Sequence, residues 1–207
     1  MLEQLQERTM TVPMLTEESS DAELMARVRA GERDAFADLV DRHKDAVVNY
    51  LARLSGSRDR AEDLGQEAFL RLFRSAAHGY VEQGYLRAYL FRIATNLLRS
   101  EERRERRLTL LRPLLGGGDG ASEPAAHAGM LRRELQRELA AAIARLPLRY
   151  RVPLVLHEIE SWSYSEIAQE LQCREGTVKS RIHRGRQQLK RQLEPYWNGG
   201  LSWTKSG

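Results

Sequence analysis

Six side chains between residues 85 and 103 recur at alternating steps of four and three, which places them on one face of an α-helix. Two aromatic rings stand at one end, followed by guanidiniums and one amide: Tyr85, Tyr89, Arg92, Asn96, Arg99 and Arg103. Aromatic rings stack on unpaired bases, amides hydrogen-bond base edges, and guanidiniums neutralise phosphates. The pattern predicts contact with single-stranded nucleic acid, and its alternative is a surface helix with half-buried tyrosines.

A second basic face lies in residues 174–191, which hold seven Lys or Arg and one Glu. A short helix capped by Ser163 or Ser165, a break at 172–176 and a longer helix capped by Thr177 predict a helix-turn-helix. The longer helix would enter the major groove, where basic and polar side chains contact guanine, other base edges and phosphates. Its predicted DNA-binding residues are Thr177, Lys179, Ser180, His183, Arg184 and Gln187.

A third helix face combines acid, amide, base and an exposed leucine at helical spacing: Asp63, Gln66, Glu67, Leu70 and Arg71. We predict that it docks a protein. The alternative is a solvated surface stabilised by an ion pair between Glu67 and Arg71, four residues apart.

The elements that position these faces are all predicted to be helices, because apolar residues recur every three or four positions and no alternating strand is present. Glycines, a serine and two prolines at 111–129 indicate a linker. The prediction is therefore an all-α protein of two small helical domains joined by a flexible linker, the second a helix-turn-helix domain. Its segments are a disordered extension (1–20), a first domain (21–107), the linker (108–129), a second domain (130–195) and a tail (196–207).

Composition narrows the function further. The 207 residues include 33 Lys or Arg and 29 Asp or Glu, yet residues 1–70 carry a net charge of −6 and residues 71–207 a net charge of +10. The basic part predicts a polyanionic partner, and the acidic part predicts a protein. No run approaches the roughly 20 apolar residues of a membrane helix, and the N-terminus lacks a secretion signal. We expect a cytoplasmic protein without membrane insertion.

No arrangement of residues suggests catalysis. The single cysteine, Cys173, rules out an internal disulfide, and the histidines show no metal-ligand spacing. We expect no enzyme, no catalytic residues, no metal and no cofactor. The runner-up function is a standalone helix-turn-helix regulator, which would make little use of stacking residues such as Tyr85 and Tyr89. A nuclease-like enzyme is a distant third, since no paired-carboxylate metal site is visible.

At these same residues the chain resembles the extracytoplasmic-function (ECF) group of bacterial RNA polymerase sigma factors, in the sigma-70 family. AEDLGQEAFLRLF (61–73) is similar to the helix of that family that binds core polymerase. YLRAYLFRIATNLLRS (85–100) resembles its promoter-melting helix, with Tyr89 where Trp is frequent and Ser100 where Asp is common. LPLRYRVPLV through GRQQL (146–189) resembles its second DNA-binding domain.

The resemblance implies a role for each face. The face around Leu70 would bind core RNA polymerase, and the chain as a whole would contact the clamp and flap regions of the polymerase. The stripe from Tyr85 to Arg103 would hold the melted −10 promoter element, and the helix after Thr177 would read the −35 element as duplex. The resemblance also implies an anti-sigma protein as a partner. A linker between two domains would let such an inhibitor mask both of them.

Overall fold

The structure, a computed structural model, describes residues 19–78, 85–111 and 130–197, and every regular element in these ranges is an α-helix. They are α1 (Asp21–Arg29), α2 (Arg33–Ser55), α3 (Arg58–Ala77), α4 (Leu86–Leu111), α5 (Met130–Arg145), α6 (Leu148–Glu158), α7 (Tyr164–Glu170) and α8 (Glu175–Trp197). The predicted all-α fold is confirmed. Most of the predicted extension, linker and tail lies outside the described residues.

Helix α1 begins with a capping box whose N-cap is Ser20, although the next residue, Asp21, is of an equally good capping type. The Ser20 hydroxyl oxygen accepts from the Glu23 N–H at 3.3 Å, and a Glu23 carboxylate oxygen accepts from the Ser20 N–H at 2.8 Å. Asp21 instead accepts from Arg42 on α2 at 2.8 Å. Both residues are good N-caps, and the reciprocal bond from Glu23 decides between them.

The first half of the molecule (α1–α4) has an aromatic pair at its centre. Tyr50 of α2 is fully buried and stacks on Phe91 of α4, with ring centroids 4.3 Å apart and ring planes 3° from parallel. The Tyr50 hydroxyl lies 2.7 Å from Thr95 Oγ1. Because burial raises the pKa of Tyr50 well above its usual value, the hydroxyl stays protonated and keeps this hydrogen bond. The pair fixes the inner side of α4, so the opposite side of the helix faces outward.

The second half (α5–α8) contains the predicted helix-turn-helix. A capping box of Ser163 and Glu166 starts α7, and the chain turns through Gln172 at φ 48° before α8. Helix α8 begins at Glu175, two residues earlier than the cap predicted at Thr177. The Thr177 N–H already bonds the Arg174 carbonyl at 2.8 Å, so Thr177 lies within the first turn.

The two halves pack directly against each other, which the sequence did not predict. Helix α2 contacts both α5 and α6, and buried residues of both halves form one apolar cluster. Arg151 of α6 crosses the contact, donating to the Leu54 carbonyl at the end of α2 and to the Glu102 carboxylate on α4. The halves are therefore joined by a buried charge pair as well as by apolar packing.

Gly56 provides a test of how closely the halves approach. It ends α2 at φ 73°, and a Cβ placed there would lie 2.8 Å from the Cβ of Ala144 on α5. We expect Gly56→Ala to cost more than the roughly 1–2 kcal/mol of left-handed backbone strain, because the clash adds to it. Thermal unfolding measures this, at about 2–4 °C for each kcal/mol in a chain of this size.

Gly31 supplies the matched control, since it has φ 96° and a Cβ placed there would meet nothing within 4 Å. Gly31→Ala should show backbone strain alone. Ala144→Gly costs about 0.5–1 kcal/mol by itself, because glycine weakens a helix. Combined with Gly56→Ala, its loss should be smaller than the sum of the two single losses, by the part due to the clash. Equal losses at Gly56 and Gly31, with an additive double substitution, would show that the approach to α5 does not matter for stability.

Candidate functional site

The six residues predicted to bind a single strand, called the α4 stripe below, follow the outer face of α4, with Tyr85 just before the helix. Tyr85 is 72% exposed, Asn96 and Arg103 are exposed, and Arg99 is half-buried. At 1.5 Å per residue, the path from Tyr85 to Arg103 is about 27 Å long. The structure therefore brings the predicted residues together as one extended surface.

Tyr89 differs from the rest of the α4 stripe because it is half-buried and packs against the apolar core. Packing holds the ring in a restricted set of positions, so less side-chain entropy is lost when a base stacks on it. The half-buried position is the one described by the alternative of the sequence analysis, and it leaves part of the side chain accessible.

Arg92 of the α4 stripe is paired with a residue of the other half. Its Nε lies 3.1 Å from a carboxylate oxygen of Glu170, at the end of α7, and the Glu170 side chain is only 7% exposed. Burial raises the pKa of Glu170 above its usual value, and the nearby Arg92 opposes that rise. Two stripe residues also contact each other, since Arg99 Nη1 donates to Asn96 Oδ1 at 3.2 Å.

The predicted protein-docking residues lie on the exposed side of α3 and are called the α3 face below: Asp63, Gln66, Glu67, Leu70 and Arg71. Arg71 Nε donates to Glu67 Oε1 at 2.9 Å, which is the ion pair expected from their spacing. Leu70 remains 48% exposed, and Phe73 one turn away is 43% exposed. Two large apolar side chains thus stand uncovered beside a charged pair.

Beside the α3 face runs an apolar groove of about 490 Å³ between α2 and α3. Phe36, Val40 and Val48 of α2 line one wall, and Phe69 and Leu70 of α3 line the other. Phe36 and Val40 share the apolar side of α2 with the buried Leu39, but both are only half-buried. Periodicity identifies the apolar side of a helix and gives no signal for which of its residues a neighbouring helix leaves uncovered.

The predicted recognition residues lie on α8. Lys179, Ser180, His183, Arg184 and Gln187 are all exposed, and Thr177 is half-buried in the first turn. His183 and Gln187 contact each other, with their side-chain nitrogens 2.9 Å apart. One helix therefore presents basic, hydroxyl, imidazole and amide groups to solvent, a set suited to base edges and phosphates.

Two of these basic residues contact tyrosines of the same half. The Arg184 guanidinium hydrogen-bonds the Tyr150 hydroxyl, which lowers the pKa of that phenol. The Lys179 ammonium lies 5.5 Å from the centre of the Tyr164 ring, in a cation–π contact. These contacts restrict where the two charges can move, and they were not visible in the sequence because they join separate helices.

No cluster of three potential metal-ligating side chains occurs in the described ranges 19–78, 85–111 and 130–197. Over the same residues, none of the helices is long and apolar enough to cross a membrane.

Comparison with known protein families finds one matching family model in each half of the molecule. The family model "Sigma-70 region 2" matches residues 39–108, which include the α3 face, the α4 stripe and all of the groove's named lining residues except Phe36. The family model "Sigma-70, region 4" matches residues 136–189, which include the helix-turn-helix.

Full-length relatives agree with these two matches. The ECF RNA polymerase sigma factor SigW of Bacillus subtilis is 34% identical, over 81% of this chain and 93% of the relative. The RNA polymerase sigma-H factor of Pseudomonas aeruginosa is 32% identical, over 88% of this chain and 97% of the relative.

A solved structure matches the fold. The sigma factor RpoE of Bartonella quintana, in complex with the anti-sigma factor NepR, superimposes with a TM-score of 0.60 at 24% identity, over 77% of this chain and 96% of that chain. With regions 2 and 4 in order and relatives matched over nearly their whole length, the chain belongs to the ECF group of the sigma-70 family of RNA polymerase sigma factors.

Proposed function

We propose that this sigma factor, which directs promoter-specific transcription initiation, divides its work among the three surfaces. The α3 face and its groove bind core RNA polymerase, the exposed side of α8 reads the −35 element as duplex, and the α4 stripe holds the melted non-template strand of the −10 element. The observation that carries the proposal is the continuous row of aromatic and guanidinium groups on α4, in the same chain as a helix-turn-helix. The protein works in the cytoplasm and acts by binding alone.

The docking assignment rests on uncovered apolar area. Leu70 and Phe73 are nearly half exposed beside a groove lined by Phe36, Val40 and Phe69. Protein interfaces are centred on apolar anchors that fill such grooves and are surrounded by polar residues that exclude water. Core polymerase is the partner that fits this surface, through its clamp region, and we assign contacts with its flap region to the second half.

The melting assignment rests on an energy comparison. Opening a duplex costs a few kcal/mol for each base that is unstacked, and one base stacked on an aromatic ring returns about 1–3 kcal/mol. Tyr85 and Tyr89 offer two such rings, while Arg92, Arg99 and Arg103 follow the path of the phosphates. Capture of bases on the α4 stripe can therefore offset opening without any chemical step.

An anti-sigma protein is the third partner. Support comes from the structurally similar RpoE, whose structure was solved with the anti-sigma factor NepR. In the present chain the halves are in contact through α2, α5 and α6, so one inhibitor could hold both at once.

Polymerase docking is tested by changing the α3 face. We expect Leu70→Asp combined with Glu67→Lys to abolish association with core polymerase in a pull-down, because the anchor becomes charged and the Glu67–Arg71 pair is lost. Leu139→Asp is the control, since Leu139 is a 38% exposed leucine on α5, away from the groove. Full binding by the doubly substituted protein, with helical content intact by circular dichroism, would remove the α3 face from the interface.

Promoter reading is tested on α8. Arg184→Ala should weaken binding to promoter duplex by about 1–3 kcal/mol and relax the preference at one −35 position, if it contacts a base edge. Lys179→Ala should weaken all sequences alike and reduce the salt dependence, as a phosphate contact does. Arg186→Ala is the control, because Arg186 lies on α8 but is paired with Glu158 of α6. Parental affinity and parental sequence preference in both test variants would show that α8 is not the reader.

Strand capture is tested at Tyr89. Tyr89→Ala should slow formation of the open promoter complex more than it weakens initial duplex binding, and a template with a pre-melted bubble should rescue it. Tyr89→Phe keeps the ring and should behave like the parent. Because Tyr89 also packs against the core, thermal unfolding of both variants must be compared. A Tyr89→Ala protein that is unfolded, or that the bubble does not rescue, would assign Tyr89 to the core alone.

A further inference from the structure

A cleft of about 860 Å³ lies between the two halves, bordered by α4 on one side and by the start of α6 on the other. Among the described residues that line it are eight arginines and two glutamates, so we call it the arginine cleft. The first half supplies both glutamates and four of the arginines, whereas the second half supplies four arginines and no acid. Positive charges of both halves therefore border the same space.

At another part of the contact between the halves, the charges are paired. Glu160, just after α6, lies 3.0 Å from Arg53 of α2 and 2.6 Å from Arg87 of α4. Glu170 of α7 likewise lies 3.1 Å from Arg92 of α4. There, acids of the second half neutralise arginines of the first half. The arginine cleft differs because the second half brings no acid to it.

The two glutamates of the arginine cleft are already engaged. The Glu102 carboxylate accepts from Arg151 and also lies 3.4 Å from Arg106. Glu105 lies 3.1 Å from Arg60 of α3. Two carboxylates thus serve three guanidiniums, and the remaining arginines of the cleft need another source of negative charge.

Other arginines of the cleft contact neutral groups in the described part of the chain. The Arg149 guanidinium lies 4.7 Å from the centre of the Tyr150 ring, and Arg181 Nη1 lies 3.9 Å from the sulfur of Cys173. Arg99 donates to an amide oxygen. Rings, amides and thiols orient a guanidinium, but they carry no charge that could compensate it.

The buried arginine of the cleft shows the consequence. Arg151 is only 5% exposed, and its Nε has no hydrogen-bond partner among the described residues. Burial lowers the pKa of Arg151 despite its pair with Glu102. The like charges of Arg60 and Arg106 act in the same direction. An anion in the cleft would stabilise the charged form of Arg151 and reduce the repulsion from its neighbours.

The backbone and the apolar lining complete a ligand site. Helix α6 begins in the cleft, and its N-cap, Pro147, makes no side-chain cap hydrogen bond. The first N–H groups of a helix and the positive end of its dipole attract anions. The half-buried Leu148 and Leu171 add apolar surface. Small-molecule sites have volumes of roughly 300–1,000 Å³, so the cleft has room for more than a single phosphate.

We propose that the arginine cleft binds a small anion that carries a chain of phosphate groups, such as a nucleoside polyphosphate. Guanidiniums from both halves donate charge-assisted hydrogen bonds to the phosphate oxygens, and the apolar side chains pack against the nucleoside. The ligand bridges α4 and α6 and supplies the negative charge that the second half does not bring to the cleft.

The proposed site is separate from the proposed DNA surfaces in its key residues. Arg99 and Arg103 line the cleft and also belong to the α4 stripe. Arg106 and Arg149 line the cleft but belong neither to the α4 stripe nor to the predicted recognition residues of α8. Substitution of this second pair therefore tests the cleft without changing either DNA surface.

The experiment measures binding of ATP, inorganic tripolyphosphate and adenosine to the full chain by isothermal titration calorimetry. The test variant combines Arg106→Ala with Arg149→Ala, and the control combines Arg107→Ala with Arg174→Ala. All four side chains are exposed and each variant loses two positive charges, but only the test pair lines the cleft. Circular dichroism compares the helical content of every variant with that of the parent.

We expect one ATP to bind each parent chain and its affinity to fall at least tenfold in the test variant, as the loss of charge-assisted hydrogen bonds predicts. The control should change affinity by less than about threefold, because distant exposed charges are screened by salt. Tripolyphosphate should follow the same pattern, and adenosine should not bind. Tighter binding of ATP than of tripolyphosphate would identify a nucleotide as the ligand, and equal binding would identify the phosphate chain alone.

Lysine at the two test positions keeps the charge without the planar donor pair of a guanidinium. Arg106→Lys with Arg149→Lys should therefore bind ATP with an affinity between those of the parent and the alanine variant. Parental affinity in both the lysine and the alanine variant would overturn the proposal. Equal losses in the test and control variants, or no binding of either phosphate compound to the parent, would also overturn it.

A mixed-sequence 12-nucleotide single strand, measured in parallel by fluorescence anisotropy, separates this inference from the proposed function. Strand affinity that falls in the test variant, while neither small anion binds the parent, would assign the cleft to nucleic acid instead. ATP binding that is lost in the test variant while strand affinity stays parental would support the anion site and leave the role of the α4 stripe unchanged.

Discussion

The arrangement of the molecule depends on one buried guanidinium. Arg151 leaves α6 of the second half and ends among groups of the first half, the Leu54 carbonyl and the Glu102 carboxylate. Burial lowers the pKa of Arg151, and Glu102 opposes that change by stabilising the charged form. A buried charge without its partner costs several kcal/mol, so the end of α2 and the turn of α4 that carries Glu102 must stay together around it. The position of α6, and with it the second half, relative to α2 and α4 is constrained by these contacts.

The partition of charge along the chain has a structural counterpart. The acidic N-terminal part carries the α3 face and groove, where exposed apolar side chains suit a protein partner. The basic remainder carries α4 and α8, where guanidinium and amide groups suit nucleic acid. A sigma factor needs to hold polymerase and promoter simultaneously, and placing the two kinds of surface on different helices allows each to be occupied without displacing the other. Helix α4 also has partners within the chain. Glu160 and Glu170, two acidic residues of the otherwise basic part, pair with Arg87 and Arg92 of α4.

Sequence periodicity predicted the surfaces better than it predicted their surroundings. The rows on α3, α4 and α8 could be read directly, because residues three or four apart on a helix must share a face. Helix starts were less certain, since Ser20 and Asp21 are both good caps and only the bond from Glu23 distinguishes them. Contacts between the halves gave no signal at all. Glu160 and Glu170 look like ordinary surface acids in the sequence, because the arginines that enclose them lie 73 to 107 residues away for Glu160 and 78 residues away for Glu170.

The covalent continuity of the two halves also has a kinetic meaning. Glu160 and its partners Arg53 and Arg87 belong to one chain, so re-forming these pairs after any separation would be a first-order event. Tethered groups experience an effective concentration on the order of millimolar, and domain motions take microseconds to milliseconds. The rate of re-forming would therefore not depend on the concentration of the protein. A molecule that bound only the separated halves would compete with this intramolecular return at any dilution.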